Sequence, residues 1–148
     1  MPQKILVPTD GSNQAKKAID FACEMALKYN AMLYFAHVVS KVPIPDYVLE
    51  YVKMERVEES PERVYLNALG KKIIEAAESQ GRARGVKNFK SVVLEGDPSE
   101  EIIKFIETSD VDMIVMGNRG LGGVKQLLMG SVSHKVCNAA HCTCVTVK

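Results

Sequence analysis

The sequence of 148 residues predicts an α/β fold built on an open, five-stranded parallel sheet. Short apolar runs alternate with longer segments of helical periodicity, in the order β-α-β-α-β-α-β-α-β. The first apolar run is continuous rather than alternating, which is typical of a strand covered on both faces. With right-handed crossovers and two halves around a switch point, we expect a doubly wound, Rossmann-like sheet with strand order 3-2-1-4-5.

Composition favours one globular domain spanning residues 1–148. Hydrophobic residues make up 47% of the chain and the formal net charge is +1, so no strong field attracts nucleic acid or an anionic membrane. The apolar run Ile5–Val7 stops at Pro8, too early for a signal peptide, and no run is long enough to span a membrane. We therefore expect a cytoplasmic protein without nucleic-acid or membrane partners.

The first half of the chain begins with a strand from Lys4 to Thr9, followed by a helix whose N-cap is Ser12. A second strand is predicted from Ala31 to Val39. His37 within it is interpreted as a packed, hydrogen-bonded histidine, with a catalytic role as the alternative. The apolar stripe of the first helix is mostly alanine, which allows a close approach to the sheet: Ala15, Ala18, Ile19, Ala22 and Ala26.

The segment from Ser40 to Glu59 is predicted to be a mobile loop with one helical piece. Pro43 and Pro45 oppose a helix locally, whereas Tyr47–Val52 is short and amphipathic. Long loops in compact domains are often lids or partner surfaces. The alternative is a solvated insertion that varies among relatives.

The second half of the chain carries clear helix-start signals. Ser60 and Pro61 begin one helix, and Asp97 caps another, with Pro98 in its first turn. The stripe expected to be buried on the first of these helices is Leu66, Leu69, Ile73, Ala76 and Ala77. The remaining elements are an edge strand from Asn88 to Glu95, a strand from Val111 to Met116, a helix from Ser131 to Ala140 and a strand from Cys142 to Val147.

Glycines and serines follow the fourth strand in a pattern that suits an anion. Gly117 and Gly120 lie in the turn that leaves the strand, and Gly130 precedes the last helix. Glycines allow positive φ and a close backbone approach to a ligand, and a helix start offers unpaired N–H groups. With the hydroxyls of Ser131 and Ser133, these residues could bind a triphosphate. The alternative is a tight turn followed by a helix cap.

Three charged residues accompany this glycine loop. Arg119 and Lys125 would neutralise phosphate charge, or are simply solvated. Asp10 leaves the end of the first strand, and the expected strand order places that end beside Gly117. Asp10 is therefore either a ligand contact or a turn residue that bonds its own backbone.

Histidine and cysteine residues cluster near the C-terminus. His134, Cys137, His141, Cys142 and Cys144 could suggest zinc, but the spacing lacks the Cys-x2-4-Cys turn of structural zinc sites. We interpret the thiols as small buried side chains and predict no metal site formed by the protein.

The spacing Gly-x2-Gly-x9-Gly-Ser, formed by Gly117, Gly120, Gly130 and Ser131, resembles the ATP-binding signature of the universal stress protein family. The resemblance extends over nearly the whole chain. It includes four further segments: Lys4–Ser12, Ala36–Val39, Gly96–Pro98 and Val145–Val147.

This resemblance implies ATP as the ligand, with Mg²⁺ or Mn²⁺ held mainly by its phosphates. It also implies a homodimer formed through the last strand, Cys142 to Val147, and further protein partners that the residues do not identify. The turn Pro8–Asp10 would border adenine and ribose, and the backbone of Val38 would contact the adenine edge. The remaining implied contacts are Met116, Gly117, Arg119, Gly120, Gly130, Ser131, Val132 and Ser133.

The function expected from the resemblance is a homodimeric, nucleotide-dependent regulatory or signalling module in stress response. One alternative is a weak ATPase or a phosphoryl or adenylyl transferase at the same site. Hydrolysis usually needs a base and metal ligands, and Asp10 is the carboxylate that can be placed nearby, so no catalytic residues are assigned. The other alternative is a chaperone or scaffold that acts without nucleotide.

Overall fold

The computed structural model describes residues 1–118 and 130–148. None of the helices in these two ranges is long and apolar enough to cross a membrane. The strands and helices occur in the predicted alternation, with one additional short helix. In chain order they are β1 (Lys4–Pro8), α1 (Asn13–Tyr29), β2 (Met32–Val39), α2 (Asp46–Met54), α3 (Pro61–Ala83), β3 (Phe89–Glu95), α4 (Pro98–Ser109), β4 (Met113–Gly117), α5 (Ser131–Ala139) and β5 (Thr143–Val147).

All strand pairs are parallel, and the order β3-β2-β1-β4-β5 confirms the predicted doubly wound sheet. β1 lies at the centre, paired with β2 on one side and β4 on the other. β3 is an edge strand, as its alternating pattern predicts, and β5 forms the opposite edge. The topological switch point of the sheet therefore lies between β1 and β4.

Two apolar layers cover the sheet. Helices α1 and α3 pack on one face around Ile5, Val7 and Phe35. Helices α4 and α5 pack on the other face around Leu6, Ile114 and Val136. Because successive residues of β1 enter opposite layers, the continuous apolar run at the start of the chain is explained by burial on both faces.

The helix-start signals are confirmed as N-caps. Ser12 Oγ accepts from the Ala15 N–H at 3.2 Å, and Ser60 Oγ accepts from the Arg63 N–H at 3.2 Å. Asp97 Oδ1 accepts from the Glu100 N–H at 3.0 Å, and this bond holds the pKa of the Asp97 carboxyl below its usual value. Each cap satisfies an N–H group that the helix itself leaves unpaired.

The segment after β2 contains more regular structure than the sequence predicts. Helix α2 extends beyond the expected piece at both ends, packs against α3 and buries Val48. Four of its other apolar side chains are exposed, Tyr47, Leu49, Tyr51 and Met54, and Val52 is half-buried. The helix forms despite the two prolines because both precede it, and Pro45 occupies the N-cap.

The predicted buried stripe of α3 is correct at Ala77, but Leu66, Leu69 and Ile73 are only half-buried and Ala76 is exposed. The fully buried residues are Gly70, Ile74, Ala77 and Gly81, so two glycines lie in the stripe itself. A Cβ on Gly81 would lie 2.7 Å from Phe35 Cζ in the centre of the core. The helix comes this close to the sheet because glycine leaves room for the phenylalanine ring, a contact that helical periodicity does not reveal.

We predict that Gly81→Ala destabilises the protein by about 1–2 kcal/mol, because crowding against Phe35 outweighs the helix propensity gained. Urea unfolding measures the change. The same substitution in a Phe35→Leu background is the control, where the crowding is relieved and the effect should vanish or become stabilising. An equal loss in both backgrounds would show that the Phe35 contact is not the cause.

Candidate functional site

The candidate site lies where the carboxyl ends of β1 and β4 meet. These strands are neighbours, with Ile5 paired to Met113 and Leu6 to Ile114. Pro8 ends β1 and Gly117 ends β4 at the same edge of the sheet. In open α/β sheets ligands bind at this edge, beside the point where the strand order reverses. The structure thus places two predicted site segments together.

The turn from β1 to α1 is held by hydrogen bonds within itself and to β2. The Thr9 N–H donates to Ala36 O at 2.7 Å, and Thr9 Oγ1 accepts from the Gly11 N–H at 3.2 Å. Asp10 Oδ1 accepts from the Ser12 N–H at 2.9 Å, which is the turn role proposed as its alternative. Gly11 has φ +80°, a conformation that favours glycine. The conformation of the turn is therefore held by contacts within the protein itself.

Gly117 is a glycine for a different reason than the sequence suggests. Its φ is not positive, because it continues β4. A Cβ at this position would lie 2.9 Å from the backbone carbon of Gln14 and 3.0 Å from its carbonyl oxygen. The expectation of positive φ is wrong here: the missing side chain allows the first turn of α1 to contact the end of β4.

Gly130 is the N-cap of α5, with φ −68° and ψ 160°, so positive φ is wrong here too. Its N–H donates to Asn118 O at 2.6 Å, which joins the two ends of the glycine loop. The first intrahelical bond runs from the His134 N–H to Gly130 O at 3.0 Å. The preceding three N–H groups, from residue 131 to residue 133, have no intrahelical acceptor and can bind an anion.

The two predicted serine donors differ in availability. Ser131 is exposed at the first position of α5. Ser133 is only 6% exposed, and its Oγ donates to Gly117 O at 2.8 Å. Its hydroxyl proton thus attaches α5 to β4 in this structure, and the contact of Ser133 with phosphate stays a prediction. A ligand at this helix start would meet the Ser131 hydroxyl and backbone amides.

The other predicted contacts fall into two groups. The side chain of Met116 is buried in the layer beneath α4 and α5, and Val132 packs against the same layer. These two residues could contact a ligand through backbone atoms. Arg119 and Gly120, with Lys125, lie outside the described residues.

Asn118 is a residue that the sequence reasoning missed. It is buried, its carbonyl accepts from Gly130, and its own N–H donates to Val147 O at 2.8 Å. One residue therefore connects the start of the glycine loop, the start of α5 and the end of β5. Its signal in the sequence is a polar residue directly after a buried strand and inside the glycine motif.

His37 and Val38 occupy the end of β2 next to this site. His37 is buried, and its Nδ1 lies 2.8 Å from Thr9 O, as the first interpretation of this residue predicts. Val38 lies two residues beyond Ala36, the last residue of β2 that pairs with β1. The backbone of Val38 is therefore at the ligand edge, next to the Thr9–Asp10 turn.

The C-terminal cysteines are half-buried free thiols. Burial raises the pKa of the Cys137 thiol to about 11, and Cys144 Sγ donates to Cys142 O at 3.6 Å. Neutral thiols pack like small apolar side chains and are poor nucleophiles and metal ligands. Within the described ranges, no three His, Cys, Asp or Glu side chains are placed to share a metal ion.

Solved structures of other proteins share this fold. The structure of the protein MJ0577 of Methanocaldococcus jannaschii aligns over 100% of this chain and 96% of its own, with a TM-score of 0.79 and 27% identity. A universal stress protein family protein of Arabidopsis thaliana, solved with AMP bound, aligns over 99% of this chain and 92% of its own, with a TM-score of 0.68 and 22% identity.

Sequence comparison gives the same assignment. The universal stress protein YxiE of Bacillus subtilis is 32% identical over 151 residues, covering 100% of both chains. The sequence pattern described for the "Universal stress protein family" matches residues 1–148. Agreement of sequence over the full length with the topology of the sheet leads to one conclusion: the chain belongs to the universal stress protein family.

Proposed function

We propose that this protein binds an adenine nucleotide, ATP in the first place, and acts as a homodimeric, nucleotide-dependent regulatory module in stress response. The observation that carries the proposal is the position of the α5 N-terminus. Its first amides, which the helix itself leaves without an acceptor, follow Gly130, and the Gly130 N–H donates to Asn118 O at the carboxyl end of β4. Next to that end lies the Thr9–Asp10 turn that follows β1, and on the far side of β1 lies the backbone of Val38 in β2.

The donors at this edge suit the two parts of a nucleotide. The amides from residue 131 to residue 133 and the exposed Ser131 hydroxyl supply hydrogen bonds to phosphate oxygens, helped by the positive end of the helix dipole. The adenosine part would lie over β1, where it could contact the Thr9–Asp10 turn. Mg²⁺ or Mn²⁺ would be held mainly by phosphate oxygens and water.

A relative supports the choice of an adenine nucleotide. The Arabidopsis protein that shares this fold was solved with AMP bound. That likeness is one of fold, so the contacts proposed for the present chain rest on its own residues.

A second part of the proposal concerns the dimer. The Thr143 N–H donates to Asp112 O and Val147 O accepts from Asn118, so residues 143 and 147 of β5 direct their backbone groups to β4. By the two-residue period of a strand, Cys144 and Thr146 direct theirs outward. A second copy can pair with these outward groups through its own β5. Asn118 would then link the dimer interface to the glycine loop, because its N–H donates to Val147 O of β5 and its carbonyl accepts from Gly130.

The first experiment uses the wild-type protein. We would denature freshly purified protein, separate released nucleotide by ion exchange, and titrate nucleotide-free protein with ATP and Mg²⁺ by calorimetry. We expect ATP near one per chain or saturable ATP binding. Released ADP or AMP together with measurable turnover would favour an enzyme. If the protein releases no nucleotide and also binds no ATP, the nucleotide site is refuted.

We predict that Gly130→Asp and Gly130→Asn separate stability from binding. Both residues suit the N-cap geometry of Gly130, so both should raise helix stability by a few tenths of a kcal/mol. The Asp carboxylate also repels phosphate, and ATP affinity should fall at least about tenfold below that of the Asn variant. Calorimetry and thermal melting measure the two effects. Equal ATP affinity in both variants would exclude phosphate from this helix start.

We predict that Thr146→Pro dissociates the dimer, because proline removes an outward N–H without breaking a bond to β4. The matched control is Val93→Pro on the opposite edge. Asn88 O accepts from the Leu33 N–H, and the Gly96 N–H donates to Val39 O, so the even-numbered residues of this strand direct their backbone groups to β2. Val93 therefore directs its N–H outward. Light scattering should show monomers for Thr146→Pro alone. Dissociation by the control alone would assign the dimer to β3.

A further inference from the structure

The ladder of hydrogen bonds between β1 and β2 stops one step early at the candidate site. The Met32 N–H donates to Gln3 O at 2.8 Å, and the Thr9 N–H donates to Ala36 O at 2.7 Å. Even-numbered residues of β2 therefore direct their backbone groups toward β1. The next bond of a parallel ladder would join the Val38 N–H to Thr9 O. Pairing ends at Pro8 and Ala36, so this bond is not formed.

The imidazole of His37 occupies the carbonyl that Val38 leaves unused. Nδ1 lies 2.8 Å from Thr9 O. A carbonyl oxygen can only accept, so Nδ1 must carry the proton of this hydrogen bond. The ring is held from behind by α3, which passes it at Gly70: a Cβ there would lie 3.5 Å from His37 Cδ2. His37 is 8% exposed, so its position is set by packing as well as by the bond.

The consequence is a backbone donor and acceptor left open at the ligand edge. The N–H and C=O of Val38 both point toward the β1 side of β2. They lie beyond the pair Pro8 and Ala36, at which the ladder between β1 and β2 ends. Adenine offers the matching pair, an acceptor at N1 and a donor at the N6 amino group. Guanine presents the reverse pair at the same positions, a donor at N1 and an acceptor at O6. An open Val38 backbone therefore discriminates between these bases, because a mismatched base leaves polar groups unpaired.

We propose that His37 is the specificity-determining residue of the nucleotide site, acting as a positioning residue. By donating to Thr9 O, it takes the place of the Val38 N–H at that carbonyl and leaves the N–H available to an adenine edge. This inference rests on the proposed function, because it assigns a determinant of base choice to the same site. It adds a residue whose side chain need not touch the ligand.

The test replaces His37 by three residues of different reach. His37→Phe removes the donor, so Val38 can close the ladder. His37→Asn keeps an N–H at nearly the position of Nδ1, and His37→Gln carries its amide one bond farther out. We expect AMP affinity to fall about tenfold or more in His37→Phe and His37→Gln and to return largely in His37→Asn. Affinity for GMP should change little, so the preference for AMP over GMP shrinks.

A second measurement needs no nucleotide. Amide hydrogen exchange by NMR compares Val38 in the wild type and in His37→Phe. We expect fast exchange at Val38 in the wild type and protection in the variant, with imidazole ¹⁵N shifts of the wild type showing a protonated Nδ1. Protection of Val38 in the wild type would overturn the inference, even if no variant folds. The inference would also be overturned if a folded His37→Phe variant kept the wild-type affinity for AMP and the wild-type preference for AMP over GMP.

The two measurements also separate this inference from the proposed function. A wild type that binds neither AMP nor ATP refutes the nucleotide site, whatever the exchange data show. A wild type that binds AMP while Val38 is protected leaves the site standing and removes His37 as its determinant.

Discussion

The close approach of α1 to the end of β4 is the contact on which the site depends. Gln14 in the first turn of α1 lies against Gly117, where even a Cβ would be 2.9 Å from its backbone carbon. Buried alanines along the same helix allow it to lie close to the sheet. This packing places the start of α1 against the end of β4, where Gly117 O also accepts from Ser133 of α5. A bulkier residue at Gly117 would separate these elements before any ligand was involved.

Much of the fold could be predicted because its signals are local. Continuous apolar runs mark strands with two covered faces, and Ser60 or Asp97 marks a helix start by chemistry that acts over three residues. The phase of α3 could not be predicted in this way. Its buried stripe is set by Phe35, a residue of β2 that fits beside Gly81. Tertiary packing of this kind overrides a count of apolar residues.

In the candidate site, too, local features could be predicted from the sequence and tertiary contacts could not. The motif with Gly117, Gly130 and Ser131 correctly indicated a strand end followed by a helix start at the switch point. The reason for each glycine and the partner of Ser133 were not visible, because both depend on backbone atoms brought close by folding. His37 illustrates the limit best. Its residue type suggested a buried hydrogen bond, but only the register of β1 and β2 shows which ladder bond it replaces.

The two edges of the sheet differ in a way that bears on assembly size. β3 carries Lys90, and its last residue, Glu95, forms an ion pair with Arg63 at 2.7 Å. The five residues of β5 carry no charge. Charged residues hinder the addition of a strand because they must lose water. A chain with one permissive edge and one guarded edge can pair about a two-fold axis and then stops growing. In the proposed dimer, neutralising the charges on β3 would remove that stop and allow further copies to add into a filament.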